Sequence, residues 1–95
     1  MPITDEGIFE AQRVLASDEG LYAEPSAVVG LTAVMQQARA GKLDPDQRVV
    51  VVLTSGGLKD YGASRAWLPD VPAAGSDFAS TLTVLEERYG LRLRP

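Results

Sequence analysis

A chain of 95 residues with nine basic and thirteen acidic side chains, a net charge of −4 and 45% hydrophobic residues makes one small domain at most. It contains neither cysteine nor histidine, which excludes disulfides, thiolate and imidazole metal sites, histidine general bases and Ser-His triads within this chain. The charges form no block, which argues against a nucleic-acid footprint, and no apolar run reaches the roughly 18 residues that a membrane span needs.

The acidic start, Met1 to Glu6, lacks the basic region of a signal peptide, so a cytoplasmic protein is expected. Thr4 reads as a helix N-cap with Asp5 and Glu6 in the first turn. Ile8, Ala11, Gln12 and Leu15 recur at helical spacing, and Gly20 marks the stop. Leu21-Tyr22-Ala23 reads as a short strand, and Glu24, which precedes a proline, is biased to extended backbone. Pro25 or Ser26 opens a second helix that runs to about Ala40 on an apolar set of Val28, Leu31, Val34, Met35 and Ala38.

After a turn over 42–47 comes Val49-Val50-Val51-Val52-Leu53, an apolar run that ends in Thr54-Ser55-Gly56-Gly57. A strand with no polar face is normally covered on both sides, as a central parallel strand is. Residues 61–76 read as a surface loop pinned by Trp67 and Leu68. Asp77 reads as the N-cap of a last helix over 78–89, with Phe78, Leu82, Leu85 and Tyr89 on one face and Gly90 as the stop. Leu91-Arg92-Leu93 is a weak strand candidate, and Arg88, Arg92 and Arg94 suit a solvated helix terminus. The expected fold is a partial three-layer α/β segment. About three helices would surround one central parallel strand, a short second strand would lie beside it, and the sheet would be incomplete. Because a strand pair rarely stands alone in water, the remaining strands are expected in another chain or in a larger protein.

Three groups of residues bear on chemistry. Thr54, Ser55, Gly56 and Gly57 sit where a strand ends, the place where open α/β sheets bind ligands. A hydroxyl there can donate to a ring nitrogen or a phosphate, and glycines admit close backbone approach; the alternative is a plain turn. Glu24-Pro25-Ser26 either orients a ligand or is a helix-start box beside a positive dipole. Lys59-Asp60 reads as a solvated ion pair rather than a carbonyl-reactive lysine.

Taken in order, these motifs resemble the C-terminal part of the threonine synthase family, pyridoxal-phosphate enzymes of fold type II with the tryptophan synthase β-like fold. The matching parts are Thr4-Asp5-Glu6, Glu10 to Ala16, Glu19 to Ser26, the long helix, Asp44 to Arg48, and Val49 to Thr54 leading into Gly57-Leu58-Lys59-Asp60. The likeness covers about residues 4–60, and 61–95 carry no comparable motif. It implies that Thr54 faces the pyridine nitrogen of the cofactor, with Ser55 and Gly56 beside it, and that Glu24, Pro25 and Ser26 form part of the active-site wall. Ser55 and Gly56 depart from the family pattern, which has glycine and then histidine or asparagine at these two places.

The family's Schiff-base lysine, its asparagine over the cofactor and its glycine-rich phosphate loop lie upstream of the matching region, and no counterpart is present here. The resemblance therefore implies no catalytic residue in this chain, no metal, and pyridoxal phosphate bound only with the missing part of the fold. The expected organisation is a segment of that fold over 1–60, a loop over 61–76, and a helix and tail over 77–95. The expected partner is a larger chain that supplies the rest, or a second copy. The alternative is a non-catalytic interaction or regulatory domain, or a self-associating remnant.

Overall fold

The computed structural model describes residues 2–93; Arg94 of the arginine cluster lies outside them. Helix α1 spans Asp5–Glu19. The Thr4 hydroxyl accepts from the Gly7 amide at 3.2 Å, which satisfies one of the free donors of the first turn. Gly20 closes the helix at φ +69°, a backbone angle that a side chain would resist. The chain then passes through a 3₁₀ turn, Pro25–Val28, straight into α2, Val29–Arg39. The single helix expected over 25–40 is thus a tight first turn followed by a regular helix.

The core lies between α1, the 3₁₀ turn and α2. Its buried apolar residues are Ala11, Leu15, Ala23, Ala27 and Val28, with Ile8, Leu31, Met35 and Leu53 packed against them. Three of those five are alanines, so the elements approach closely but bury little area each, and stabilisation scales with area. On the solvent side the Arg39 guanidinium grips the Glu10 carboxylate through two bonds, 2.9 and 2.7 Å long. This pair is exposed, so it fixes register more than it adds stability.

The expected α/β sheet is not formed. No strand ladder exists among the described residues, and neither 48–54 nor 91–93 is a strand. The one pairing among the described residues is an isolated antiparallel bridge between Ala23 and Gly56. The physical reason is a shortage of partners: a central strand needs backbone groups on both flanks, and this chain offers only the short segment at Tyr22–Glu24. Residues 50–55 do keep the two-residue periodicity of extended chain. Val51, Leu53 and Ser55 are half-buried, while Val50, Val52 and Thr54 are exposed. The inner row lies on α2, where Val51 approaches Gly30; the outer row carries Val50 at 88% and Val52 at 73% exposure.

Beyond Gly56 the chain forms a 3₁₀ turn, Gly57–Asp60, and a single helical turn α3, Tyr61–Ser64, before an irregular stretch up to Asp77. The expected loop over 61–76 therefore begins with helical structure. Helix α4 spans Phe78–Tyr89, with the Asp77 carboxylate accepting from the Ser80 amide at 2.8 Å and Gly90 closing the last turn. It buries none of its residues. The radius of gyration, 17.8 Å, exceeds the roughly 12 Å of a compact chain this long, consistent with a small body and an outlying helix.

Replacing the fully buried Val28 by alanine is expected to lower the unfolding free energy by about 2 kcal/mol. Val50→Ala, on the outer row, should change it by no more than about 0.5 kcal/mol. Urea denaturation of both variants checks the difference; equal losses would show that the valine run has a covered outer face.

Candidate functional site

The site forms where residues 22–26 meet residues 54–60. The Glu24 amide donates to the Ser55 carbonyl at 3.1 Å, and the Gly57 amide donates to the Tyr22 carbonyl at 3.0 Å. These two bonds flank the Ala23–Gly56 bridge and fix two otherwise separate segments side by side. Glu24 then caps the approach to the Pro25 turn without a side-chain cap bond of its own. Its carboxylate is turned instead to the Ser26 hydroxyl, which donates to Oε1.

The Glu24 carboxyl is held below the usual glutamate range. The Ser26 hydroxyl is the largest cause, the Ser55 hydroxyl the next, and the positive charge of Lys59 adds to them, against a partial loss of hydration. Glu24, Ser26 and Ser55 are therefore one polar cluster with Gly56 at its edge. Thr54 stands on the exposed row of the extended segment, one residue before Ser55. The expected site residues thus share one neighbourhood, but Thr54 is turned to solvent while the other hydroxyls are engaged. Lys59 is exposed and acts on Glu24 through its charge.

Beside the cluster is a cavity of about 450 Å³ lined by Tyr22, Ser55, Gly56, Gly57, Leu58 and Lys59. Gly57 is buried under the Tyr22 ring, and a Cβ at this position would sit on the ring carbons. The second glycine of the pair is therefore required by close packing, not only by turn geometry. No group of three or more histidine, cysteine, aspartate or glutamate residues able to hold a metal occurs among the described residues. No helix among them is long and apolar enough to cross a membrane.

Behind the cluster is a polar group that the sequence did not disclose. Gln12 of α1 is fully buried. Its Nε2 donates to the Ala23 carbonyl at 2.8 Å, and its Oε1 accepts from the Ser64 hydroxyl at 3.3 Å and from Trp67 Nε1 at 3.1 Å. The Tyr22 hydroxyl donates to Ser64 Oγ at 2.7 Å. Gln12 stood out only as a polar member of the apolar stripe of α1; nothing in the spacing pointed to Ser64, more than fifty residues along the chain.

The family model for pyridoxal-phosphate dependent enzyme matches residues 1–55. The threonine synthase of Bacillus sp. (strain ULM1) is 36% identical over 87 residues, 90% of this chain and 22% of that protein. The threonine synthase of Methanocaldococcus jannaschii is 39% identical over 62 residues, 65% of this chain and 15% of that protein. The cysteate synthase of Methanospirillum hungatei is 31% identical over 78 residues, 82% of this chain and 18% of that protein. The chain thus spans less than a quarter of the length of these relatives. A match over 87 of 95 residues also runs well past residue 60, which corrects the expectation that the likeness ends there.

In carbon-detected NMR the Glu24 carboxyl should titrate below the ordinary value of about 4.3, and Ser26→Ala and Ser55→Ala should each bring it back upward. Its folded value is depressed, so the stability it contributes is complete above the unfolded value and fades as pH falls through the folded one. An ordinary titration in the parent chain would contradict the cluster. Gly57→Ala should displace the Tyr22 ring and lower stability by about 1–3 kcal/mol, read as a loss of near-ultraviolet circular dichroism and an earlier thermal transition.

Proposed function

This chain belongs to the pyridoxal-phosphate-dependent enzyme family, and from that premise we propose that it is the C-terminal segment of a threonine synthase-like enzyme that builds the ring side of the cofactor site. The observation that carries this reading is the junction of the Glu24-Pro25-Ser26 segment with Thr54 to Gly57. Two motifs distant in sequence come together at the edge of a cavity, as a shared ligand wall requires.

The residues suit one part of the cofactor. A neutral, exposed Thr54 hydroxyl is able to donate to an aromatic ring nitrogen without protonating it. Thr54 does not line the cavity beside Tyr22 and Leu58, so the ring it meets lies on the exposed row, against the part of the fold that this chain does not supply. Nothing in this cluster resembles a phosphate cradle, so that function falls to another part of the enzyme. When bound, pyridoxal phosphate supplies an electron sink for bonds to the substrate's α-carbon. This chain's contribution is to orient the ring through Thr54 and to keep Ser26 and Ser55 in place through Glu24. The lysine that anchors the cofactor and the phosphate loop come from the rest of the enzyme, so the isolated chain is inactive.

The reaction is a replacement or elimination at the β or γ carbon of a phosphorylated or hydroxylated amino acid, a lyase step of amino-acid biosynthesis in the cytoplasm, with threonine formation the nearest case. The partner is the larger part of the fold, and the exposed Val50, Val52 and Leu58 are the surface it covers. The same apolar surface supports a second reading, a docking or self-associating domain without catalysis.

The native mass of the untagged protein from its own source separates the two. A complex with a larger chain that carries the cofactor supports the first reading, and a bare monomer or homo-oligomer without cofactor overturns it. In the assembled enzyme, Thr54→Ala should lower turnover by about 10- to 100-fold and shift the visible absorption of the cofactor, and Thr54→Ser should restore both. Unchanged spectra in Thr54→Ala would remove Thr54 from the ring.

A further inference from the structure

Gln12 makes three hydrogen bonds from a position with no solvent contact, one to the Ala23 backbone and two to the turn that carries Ser64 and Trp67. The indole N–H of Trp67, which can only donate, and the Ala23 carbonyl, which can only accept, fix which end of the amide is oxygen, and Ser64 donates to the same Oε1. Nε2 is thereby aimed at the Ala23 carbonyl, 2.8 Å away. Ala23 is the residue bridged to Gly56, and its neighbours Tyr22 and Glu24 make the two backbone bonds to Gly57 and Ser55. No buried side-chain nitrogen or oxygen among the described residues lacks a partner, so the group is complete as it stands.

We propose that Gln12 is a positioning residue for the ligand-facing cluster: it holds the Ala23 backbone at the bridge and latches the 57–67 segment through Ser64 and Trp67, and so sets where Glu24 meets Ser55. It touches no ligand-facing group itself. An apolar side chain of similar size would fill the space but release three partners at once, in a setting where unpaired polar groups are disfavoured. Tyr22 reinforces the latch, since its ring covers Gly57 and its hydroxyl holds Ser64. The significance of the cluster for the cofactor rests on the function proposed above; the positioning itself does not.

The test is Gln12→Leu in the full chain, with the carboxyl titration of Glu24 and amide exchange at Glu24 and Gly57 as readouts. In the folded variant the Glu24 titration is expected to move up toward the ordinary glutamate range. The two amides should exchange about ten-fold faster relative to the interior amides of α1. A merely structural glutamine would lower the unfolding midpoint and leave both readouts as in the parent, and that result overturns the proposal. Where Gln12→Leu does not fold, Trp67→Phe carries the test, since it keeps the ring and removes one bond to Oε1. A smaller but resolved change at the same amides is expected, and unchanged exchange overturns the proposal. Neither readout needs cofactor or partner, so a failed native-mass experiment and a failed titration are separate results.

Discussion

The chain is organised around the bridge between Ala23 and Gly56. Two backbone bonds flank it, and no other sheet-like pairing occurs among the described residues. Without it, α1, the 3₁₀ turn and α2 would still pack through Ala11, Leu15, Ala27 and Val28, but the segment after Leu53 would lose its backbone attachment to residues 22–24. With it, Glu24 lies against Ser55, Gly57 slides under Tyr22, and the following turn comes within reach of Gln12. A single bridge is a weak constraint by backbone bonding alone, which is why side chains on both sides of it matter. The Glu24 carboxylate secures one face and the Gln12 amide the other.

The helices were legible because their signals are local. Thr4, Gly20, Asp77 and Gly90 cap elements by chemistry that acts within one turn, so spacing alone located the boundaries of α1 and α4. Glu24 lies beside the end of the valine run because its amide donates to the Ser55 carbonyl, a long-range bond. The sheet was misjudged for the opposite reason. An apolar β-branched run states that a segment wants cover on both faces, but it does not say whether this chain can provide it. Here α2 covers one row and leaves Val50 and Val52 in solvent.

The hidden part of the site is the polar group behind it. A glutamine in an apolar helical stripe has the same spacing as an ordinary boundary residue, and its partners Ser64 and Trp67 sit in a segment whose composition reads as loop. Their convergence depends on how the chain folds back after Gly57, a long-range event that no local pattern encodes. Trp67 was expected to pin the loop; the indole N–H bond to Gln12 makes that anchor directional.

Among the described residues, a core of five buried apolar side chains, most of them small, contrasts with the largely exposed Val50, Leu58, Val71 and Phe78. A single exposed large apolar residue needs no explanation, but this chain exposes both Val50 and Val52 on the row that carries Thr54, and Leu58 shortly after it. The polar interior is complete while the apolar exterior is not, and the two facts fit one account. Groups that fix the geometry of the site are satisfied from within the chain, where an unpaired donor would be disfavoured. Apolar area that only needs covering is left for whatever lies against it, since hydrophobic burial is non-directional and any complementary surface will serve. On that division the shape of the cluster belongs to this chain, and its enclosure belongs to the partner proposed above.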